Sequence, residues 1–447
     1  MKNKKIIIFF IAILCIAAFL RIWKLGDIPS GLHNDEADIG YIAYSLLKIG
    51  RSPYGDTNPF AIQEAWGGSR VPLYIYSVVQ SIAVFGLTPF AVRFPSAIYG
   101  ILSVLVTFFL LRKLFHSDRI GLLGGLLFAT NPWAIHGSRQ GLEQSLTVFL
   151  LLIGVLQFIT AGNNIWKYVV SALLFSASLF SYDAPKIFLP LFLPLLLWFY
   201  RGEVIKNKKH SLVFVSIFVF FYVLMLTTTF IGKQTKDFEA VSLFRWDQIK
   251  AQVDAERHLT LAPLWLSSIF HNKVIVVMEK LLHSYGEVFT LNWFFISGYG
   301  NLQESVARHG QYLLFSLPFF FIGLSLIILH TKEQRILLWW MILGAIPGAL
   351  TTGNYAYRSV LFLPVPIFLT AIGIDYFVEQ TKKITYFKKP LLYGTACIGL
   401  LLFLQYFNTY YFDYPVYASE YWSKQQQDIL ADVIEKALMS DDTNDEN

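Results

Sequence analysis

Eleven apolar runs of span length punctuate this sequence of 447 residues, and only a bilayer lets that much apolar surface rest against its surroundings. The runs fall at about 5–22, 92–111, 120–136, 142–160, 166–182, 186–200, 211–230, 311–329, 336–351, 358–377 and 390–408. Charged residues make up 15% of the chain, against roughly a quarter in soluble proteins. The expected fold is an all-α polytopic membrane protein, a bundle of about eleven transmembrane helices. A further run, 72–88, is also apolar enough to span. If it does not cross, the basic clusters Lys2/Lys4/Lys5, Arg112/Lys113/Arg119, Lys167, Arg201/Lys206/Lys208/Lys209, Lys332/Arg335 and Lys382/Lys383/Lys388/Lys389 all share one side. If it crosses, every cluster after the first changes side. The positive-inside rule therefore makes 72–88 an interfacial helix of the first outer loop. It places the N-terminus in the cytoplasm and the C-terminus outside the plasma membrane.

Composition excludes several classes. The net charge of +6 is scattered over short loops rather than gathered in a patch, so no nucleic-acid partner is expected. Cys15 and Cys397 both lie in apolar runs and imply no disulfide. The N-terminal Lys2-Asn3-Lys4-Lys5 and its apolar run look like a signal peptide. The run is of span length, however, and Arg21-Ile22-Trp23-Lys24 offers no small-x-small cleavage site, so an uncleaved span is expected. No internal repeat of the transporter kind is visible. The acidic end, Asp441 to Asn447, is expected to fray.

With this topology the inner loops are short and merely basic, and the unusual residues collect outside. Foremost is Pro29-Ser30-Gly31-Leu32-His33-Asn34-Asp35-Glu36-Ala37, where the chain leaves its first span. Two adjacent carboxylates at a membrane exit are costly to desolvate and add nothing to holding a bilayer protein together, so they are candidates for chemistry. Ile39, Ile42, Ala43, Leu46 and Leu47 recur at helical spacing, predicting an amphipathic surface helix with Asn34 as its N-cap. Asp35 and Glu36 would then fall in its first turn, where carboxylates also simply complement the helix dipole.

The pattern P-x-G-L-H-x-D-E-A-x-x-G-Y over residues 29–41 resembles the first outer loop of the GT-C glycosyltransferases. The similarity is to the branch, glycosyltransferase family 39-like, that includes protein O-mannosyltransferases and the lipid A aminoarabinose transferase. It continues through Pro72-Leu73-Tyr74-Ile75-Tyr76, through Gly86-Leu87 to Phe90-Ala91-Val92-Arg93-Phe94-Pro95-Ser96, and through Pro132-Trp133 to Ser138-Arg139 and Glu143. Beyond residue 200 it thins to Arg308-His309-Gly310 and Tyr357-Arg358. The resemblance implies a GT-C-type bundle. It also implies transfer of a sugar from a polyprenyl-phosphate donor to an acceptor outside the cytoplasm, usually with inversion.

That chemistry needs cations for the departing lipid phosphate and a base for the attacking hydroxyl. The resemblance makes Asp35 the catalytic base and Glu36 its supporting carboxylate. Arg70 is the best positional match for a phosphate partner and Arg358 the second. His33, Arg139, Lys186 and Arg308 complete the candidate substrate contacts. Arg93 and Arg139 also read as structural tethers at outer span ends. Glu143 is expected to pair with Arg139 at i,i+4, and Lys186 beside Asp183 also reads as a solvated pair. His33, His136, His283 and His309 are all outside but show no metal-ligand spacing. No cofactor is required, and a divalent metal is possible but not indicated. The aromatics Trp246, Trp293, Phe294, Phe295, Tyr299 and Tyr312 would cover a sugar or form an interfacial belt.

The expected organisation is one transmembrane domain over 1–410, with a first outer loop at 24–91 and a long outer loop at 232–310 that forms a lid. A short extracytoplasmic amphipathic tail, 411–447, follows, its apolar stripe running over Ile429, Leu430, Val433, Ile434, Ala437 and Leu438. A polyprenyl-linked sugar transporter and an inactive lipid-binding relative stay open as alternatives. The position of the ionisable residues at span ends rather than mid-membrane favours an enzyme. The sugar and the acceptor, whether lipid, glycan or protein, are not legible.

Overall fold

A computed structural model describes residues 2–53, 55, 70–231, 242–298, 300–306, 308–329, 331–351, 355–384 and 386–422. Tyr299, the start of the long outer loop at 232–241, the tail helix expected over 429–438 and the acidic end lie outside these residues. Among the described residues the chain is all helix and turn, with one isolated bridge between Ser242 and Thr351.

The first helix, α1 (Lys2–Ile22), is apolar all round. Its Ile13, Ala17 and Leu20, one turn apart, are buried, while Ile7, Ile8, Phe9 and Phe19 face outward as lipid-facing residues should. Two short helices follow, α2 (Asn34–Ile49) and α3 (Pro72–Phe85), and then the long α4 (Pro89–Phe115). The buried stripes Ile39, Ile42 and Ala43 of α2 and Tyr74, Ile75, Val78 and Ile82 of α3 form one cluster with Ala91 and Val92 of α4.

Arg93, near the start of α4, donates to the carbonyl of Leu25, just past the end of α1. The segment between α1 and α4 therefore leaves and returns at the same end of the bundle. Since α2 is not among the helices apolar enough to count as a span, α3 does not cross alone. The structure thus agrees with the charge argument about residues 72–88.

Beyond α4 come α5 (Asp118–Thr130), α6 (Pro132–Ser138), α7 (Gln144–Ile159), α8 (Ile165–Leu179) and α9 (Ala184–Phe199). The expected run 120–136 is in fact two helices. Asn131 breaks it, its side chain capping the Ala134 amide at 2.8 Å, and Pro132 supplies no donor. The run 336–351 is likewise divided into Ile336–Gly344 and Ile346–Ala349, with Pro347 in the second piece. Five described helices are long and apolar enough to cross a bilayer: Lys4–Ile22, Pro89–Phe115, Lys208–Thr228, Val360–Lys382 and Lys388–Tyr417. The remaining apolar helices are shorter, so the described residues do not make eleven uninterrupted spans.

The basic clusters gather at the end of the bundle away from α2. Arg119 pairs with Asp375 and with Glu379, the Gln334 side chain donates to the Leu114 carbonyl at 2.6 Å, and the Lys332 ammonium lies 4.4 Å from the Trp198 ring centre.

Trp293, Phe294, Phe295 and Tyr312 are buried, stacked among Trp133, Phe320 and Phe362. They are core and not an interfacial belt; of this group only Trp246 is exposed among the described residues. Nor does the packing break at residue 410. Tyr406, Tyr410, Tyr411, Tyr414 and Trp422 form one buried cluster with Leu20, Ile28 and Ile135.

The helices Ser316–Ile327 and Pro364–Lys382 meet backbone to backbone. A Cβ on Gly323 would lie 1.8 Å from the Leu369 carbonyl oxygen, and one on Gly373 would lie 1.9 Å from that of Phe319. Small residues at such a crossing allow the close van der Waals contact that replaces hydrophobic drive in lipid. Gly373→Val should therefore lower stability by at least about 3 kcal/mol, the upper end for overpacking. A fall in the thermal unfolding midpoint of purified protein would show this, and an unchanged midpoint would mean that the two helices do not touch here.

Candidate active site in the first loop

The loop between α1 and α2 is held by arginines. Arg139, completely buried, donates to the carbonyls of Leu20 at 3.1 Å and of Lys24 and Ile28 at 3.0 Å, and its guanidinium lies 5.0 Å from the Tyr411 ring centre. It satisfies carbonyls orphaned at the end of α1. Arg21 does the same for α5, donating to Ala129 at 3.0 Å and Phe128 at 3.2 Å. Arg139 is thus placed as a tether of the first loop, and no face of it reaches solvent. The expected Arg139–Glu143 pair does not form, because the guanidinium is taken up by carbonyls.

Glu36 and Arg93 form the centre of this architecture. Both are completely buried. Arg93 Nε and Nη2 grip the two Glu36 oxygens at 2.9 and 3.0 Å, while Nη1 donates to Pro29 at 2.9 Å and Nη2 also to the Gly31 carbonyl. Glu36 accepts two backbone amides as well, from Gly141 at 2.5 Å and from His33 at 2.8 Å. Burial alone would push the Glu36 carboxyl up. The Arg93 charge and hydrogen bonds, with the two amides, outweigh it and hold the group below its usual range. Glu36 is therefore ionised but closed off.

The N-cap of α2 is His33 rather than Asn34. Its Nδ1 accepts from the Asp35 amide at 3.0 Å while the Glu36 side chain returns to the His33 amide, a reciprocal capping box. The imidazole also meets Trp422 edge to face, 6.2 Å between centres. Gly31 is required here. Its φ is +120°, and a Cβ would lie 1.7 Å from the Trp422 carbonyl oxygen.

Asp35 points the other way. Its side chain is 41% exposed, next to a neighbour that is shut. Arg70 Nη2 meets Asp35 Oδ1 at 2.5 Å, and Arg70 Nε meets Asp38 Oδ2 at 2.9 Å. Sequence reasoning overlooks Asp38, although its i,i+3 spacing from Asp35 puts both on one helix face. Burial would raise the Asp35 pKa. The Arg70 charge and hydrogen bond, with His33 beside it, more than offset this and lower it. Glu143 stands within electrostatic reach of Arg70, Asp35 and Asp183. The structure thus brings Asp35, Arg70 and Glu143 together.

The remaining candidates are more scattered. Lys186 pairs with the largely exposed Asp183 at 2.6 Å, a local i,i+3 contact at the rim. Arg358 closes the short helix Tyr355–Arg358, where its charge acts on Tyr182 and Glu304. Arg308 is exposed, with φ +66°, and joins none of the site's ion pairs. Among the described residues no three His, Cys, Asp or Glu side chains converge as a metal-binding group.

Sequence reasoning also missed Glu304. It is 1% exposed and accepts from the Ala356 and Tyr357 amides at 3.0 and 3.3 Å. It faces a cavity of about 30 Å³ that His136, Gln144 and Ser145 also line. Burial outweighs the two amides and Arg358 and pushes its pKa up to about 7. No sequence spacing links Glu304 to residues 355–358; only the tertiary fold does.

The chain is a polytopic membrane protein, and its fold is similar to that of GT-C membrane enzymes. A family model described as dolichyl-phosphate-mannose-protein mannosyltransferase matches residues 69–226. The chain is similar in structure to the archaeal oligosaccharyltransferase AglB from Archaeoglobus fulgidus in complex with an inhibitory peptide and a dolichol-phosphate, at 15% identity and a TM-score of 0.57, covering 91% of this chain and 56% of that one. It is also similar to ArnT from Cupriavidus metallidurans in the apo state, at 11% identity and a TM-score of 0.54, covering 89% and 63%. ArnT bound to undecaprenyl phosphate aligns at 12% identity and a TM-score of 0.51, covering 88% and 62%. The chain thus spans less than two thirds of the length of each of these proteins. No curated protein matches it.

Two outcomes follow from the buried groups. Glu36→Gln leaves Arg93 buried with no carboxylate partner and should destabilise the protein by about 3–5 kcal/mol, visible as a lower unfolding midpoint. An unchanged midpoint would show the pair to be dispensable. The folded-state pKa of Glu304 exceeds its unfolded value of 4.5. Its contribution to stability is therefore full below pH 4.5 and is lost as pH rises to about 7, some 3 kcal/mol in all. Glu304→Gln keeps an acceptor for the two amides and should remove that part of the pH dependence. Unfolding curves for both proteins between pH 4 and 8 would settle it, and parallel profiles would refute the assignment.

Proposed function

We propose that this protein transfers a sugar from a polyprenyl-phosphate-linked donor to an acceptor outside the cytoplasm, with Asp35 as the general base. The observation that carries this reading is the division of labour between adjacent carboxylates. Glu36 is sealed in a bidentate pair, while Asp35 is ionised and open beside Arg70. The GT-C fold supports the same reading, as do the phosphate-bearing polyprenols in the complexes of AglB and ArnT.

In this mechanism the acceptor hydroxyl oxygen attacks the anomeric carbon. The glycosidic bond to phosphate breaks, its electron pair departs with the polyprenyl phosphate, and Asp35 takes the hydroxyl proton. Arg70 and Arg358 stabilise the charge that appears on the phosphate. A planar guanidinium suits two oxygens of a phosphate, and its effect is felt most in the transition state. In the resting state Arg70 is engaged by Asp35. Donor phosphate arriving at Arg70 competes with that carboxylate and frees it to face the acceptor. Lys186 and Arg308 then serve at most as outer contacts, and Glu36 and His33 keep the Asp35 backbone in place.

Asp35→Asn is expected to insert and fold normally but to lose on the order of 10²–10⁴ in transfer rate. The assay is single-turnover release of polyprenyl phosphate in nanodiscs, paired with mass spectrometry of envelope lipids, glycans and proteins from cells carrying either form. Arg70→Ala should lower turnover more than donor binding. Near wild-type release by the folded Asp35→Asn protein would remove Asp35 as the base. Movement of intact donor lipid without release would point to a transporter.

A further inference from the structure

The end of the bundle away from Asp35 carries a second feature. Helix α4 (Pro89–Phe115) rises about 1.5 Å per residue, so its last turn lies on the order of 30 Å from Arg93. There a groove of about 460 Å³ opens between α4 and the turn that joins α7 to α8. Arg112, Lys113, His116 and Lys167 line it, together with Phe109 and Leu156.

Some cations of the molecule are matched: Arg119 with Asp375 and Glu379, Lys382 with Glu379, Lys186 with Asp183. Here only Arg112 has a carboxylate, Asp118 at 2.6 Å. Lys167 donates to the Thr160 carbonyl at 3.1 Å, and Lys113, His116 and Lys167 form no ion pair among the described residues. The floor is apolar, and Phe109 is 39% exposed.

We propose that this groove binds the phosphate of an anionic membrane phospholipid, with the upper part of an acyl chain along Phe109 and Leu156. Cations at the lip and carbon surface behind them suit a ligand that is both phosphate and hydrocarbon. Basic pockets between transmembrane helices favour such headgroups. The volume falls in the range of small-molecule sites and is generous for inorganic phosphate alone. A phospholipid here is separate from the donor lipid, whose phosphate is needed at the other end of the bundle.

The test uses the full-length protein in detergent and native mass spectrometry. Palmitoyl-oleoyl-phosphatidylglycerol is titrated against phosphatidylcholine with the same chains, and inorganic phosphate is added alone in a third arm. The wild-type protein should retain the phosphatidylglycerol in preference. Lys113→Gln with Lys167→Gln should weaken that retention about tenfold or more, since each lysine near anionic lipid contributes substantially. Lys113→Arg with Lys167→Arg should preserve it, and this second pair separates lost charge from lost folding. Equal retention of both lipids by wild type, or unchanged retention in the glutamine pair, would overturn the proposal. Stabilisation by inorganic phosphate alone, equal to that by lipid and lost in the glutamine pair, would reassign the groove to a free anion.

Discussion

The buried pair of Glu36 and Arg93 is the constraint on which the rest of this structure turns. Two charges removed from water are tolerable only if every lone pair and proton finds a partner. Here they do. The guanidinium divides its donors between a carboxylate and the carbonyls of Leu25, Pro29 and Gly31, and the carboxylate adds two amides. One knot therefore joins α4, the first loop, the start of α2 and the turn before α7. An irregular loop that must hold its shape beside lipid has few other ways to satisfy its backbone. Arg21 and Arg139 repeat the device at the ends of α5 and α1.

The same knot makes the acidic dipeptide asymmetric. Successive residues in a first helical turn point about 100° apart, so when Glu36 turns inward to Arg93, Asp35 is directed outward to Arg70. Asp38, one turn on, completes the grip on Arg70 and leaves a cation held by two carboxylates from one helix. Such a cation is oriented, yet a more highly charged anion can still draw it away, which is the condition a phosphate-binding site must meet.

Much of this was legible. The apolar runs, the interfacial character of residues 72–88 and the importance of residues 29–41 all follow from hydropathy, charge and a contiguous motif. What escaped was decided by tertiary context. An Arg and a Glu four apart invite an ion pair, but Arg139 found three orphaned carbonyls in the chain reversal after α1, and Glu143 lies within electrostatic reach of Arg70 instead. The run 120–136 is uniformly apolar, so hydropathy could not see the break that Asn131 and Pro132 impose. Aromatic density near a span end suggests a belt, yet Trp293 to Phe295 lie under other helices. His33 displaced Asn34 as the cap because its ring is pinned by Trp422, a residue far away in sequence. Glu304 carried no local signal at all.

That dependence on Trp422 has a consequence for the order of events during synthesis. Ser30 hydrogen-bonds to Pro415, 385 residues later, and Tyr411 bonds to the last turn of α1. The loop that bears Asp35 leaves the ribosome well before the aromatic segment that clamps it. Until the helix Lys388–Asn408 has entered the bilayer, the acidic loop lacks its clamp. Assembly of the acidic loop thereby waits on this later segment, so that a molecule arrested partway through insertion carries the acidic pair without the geometry that distinguishes one carboxylate from the other.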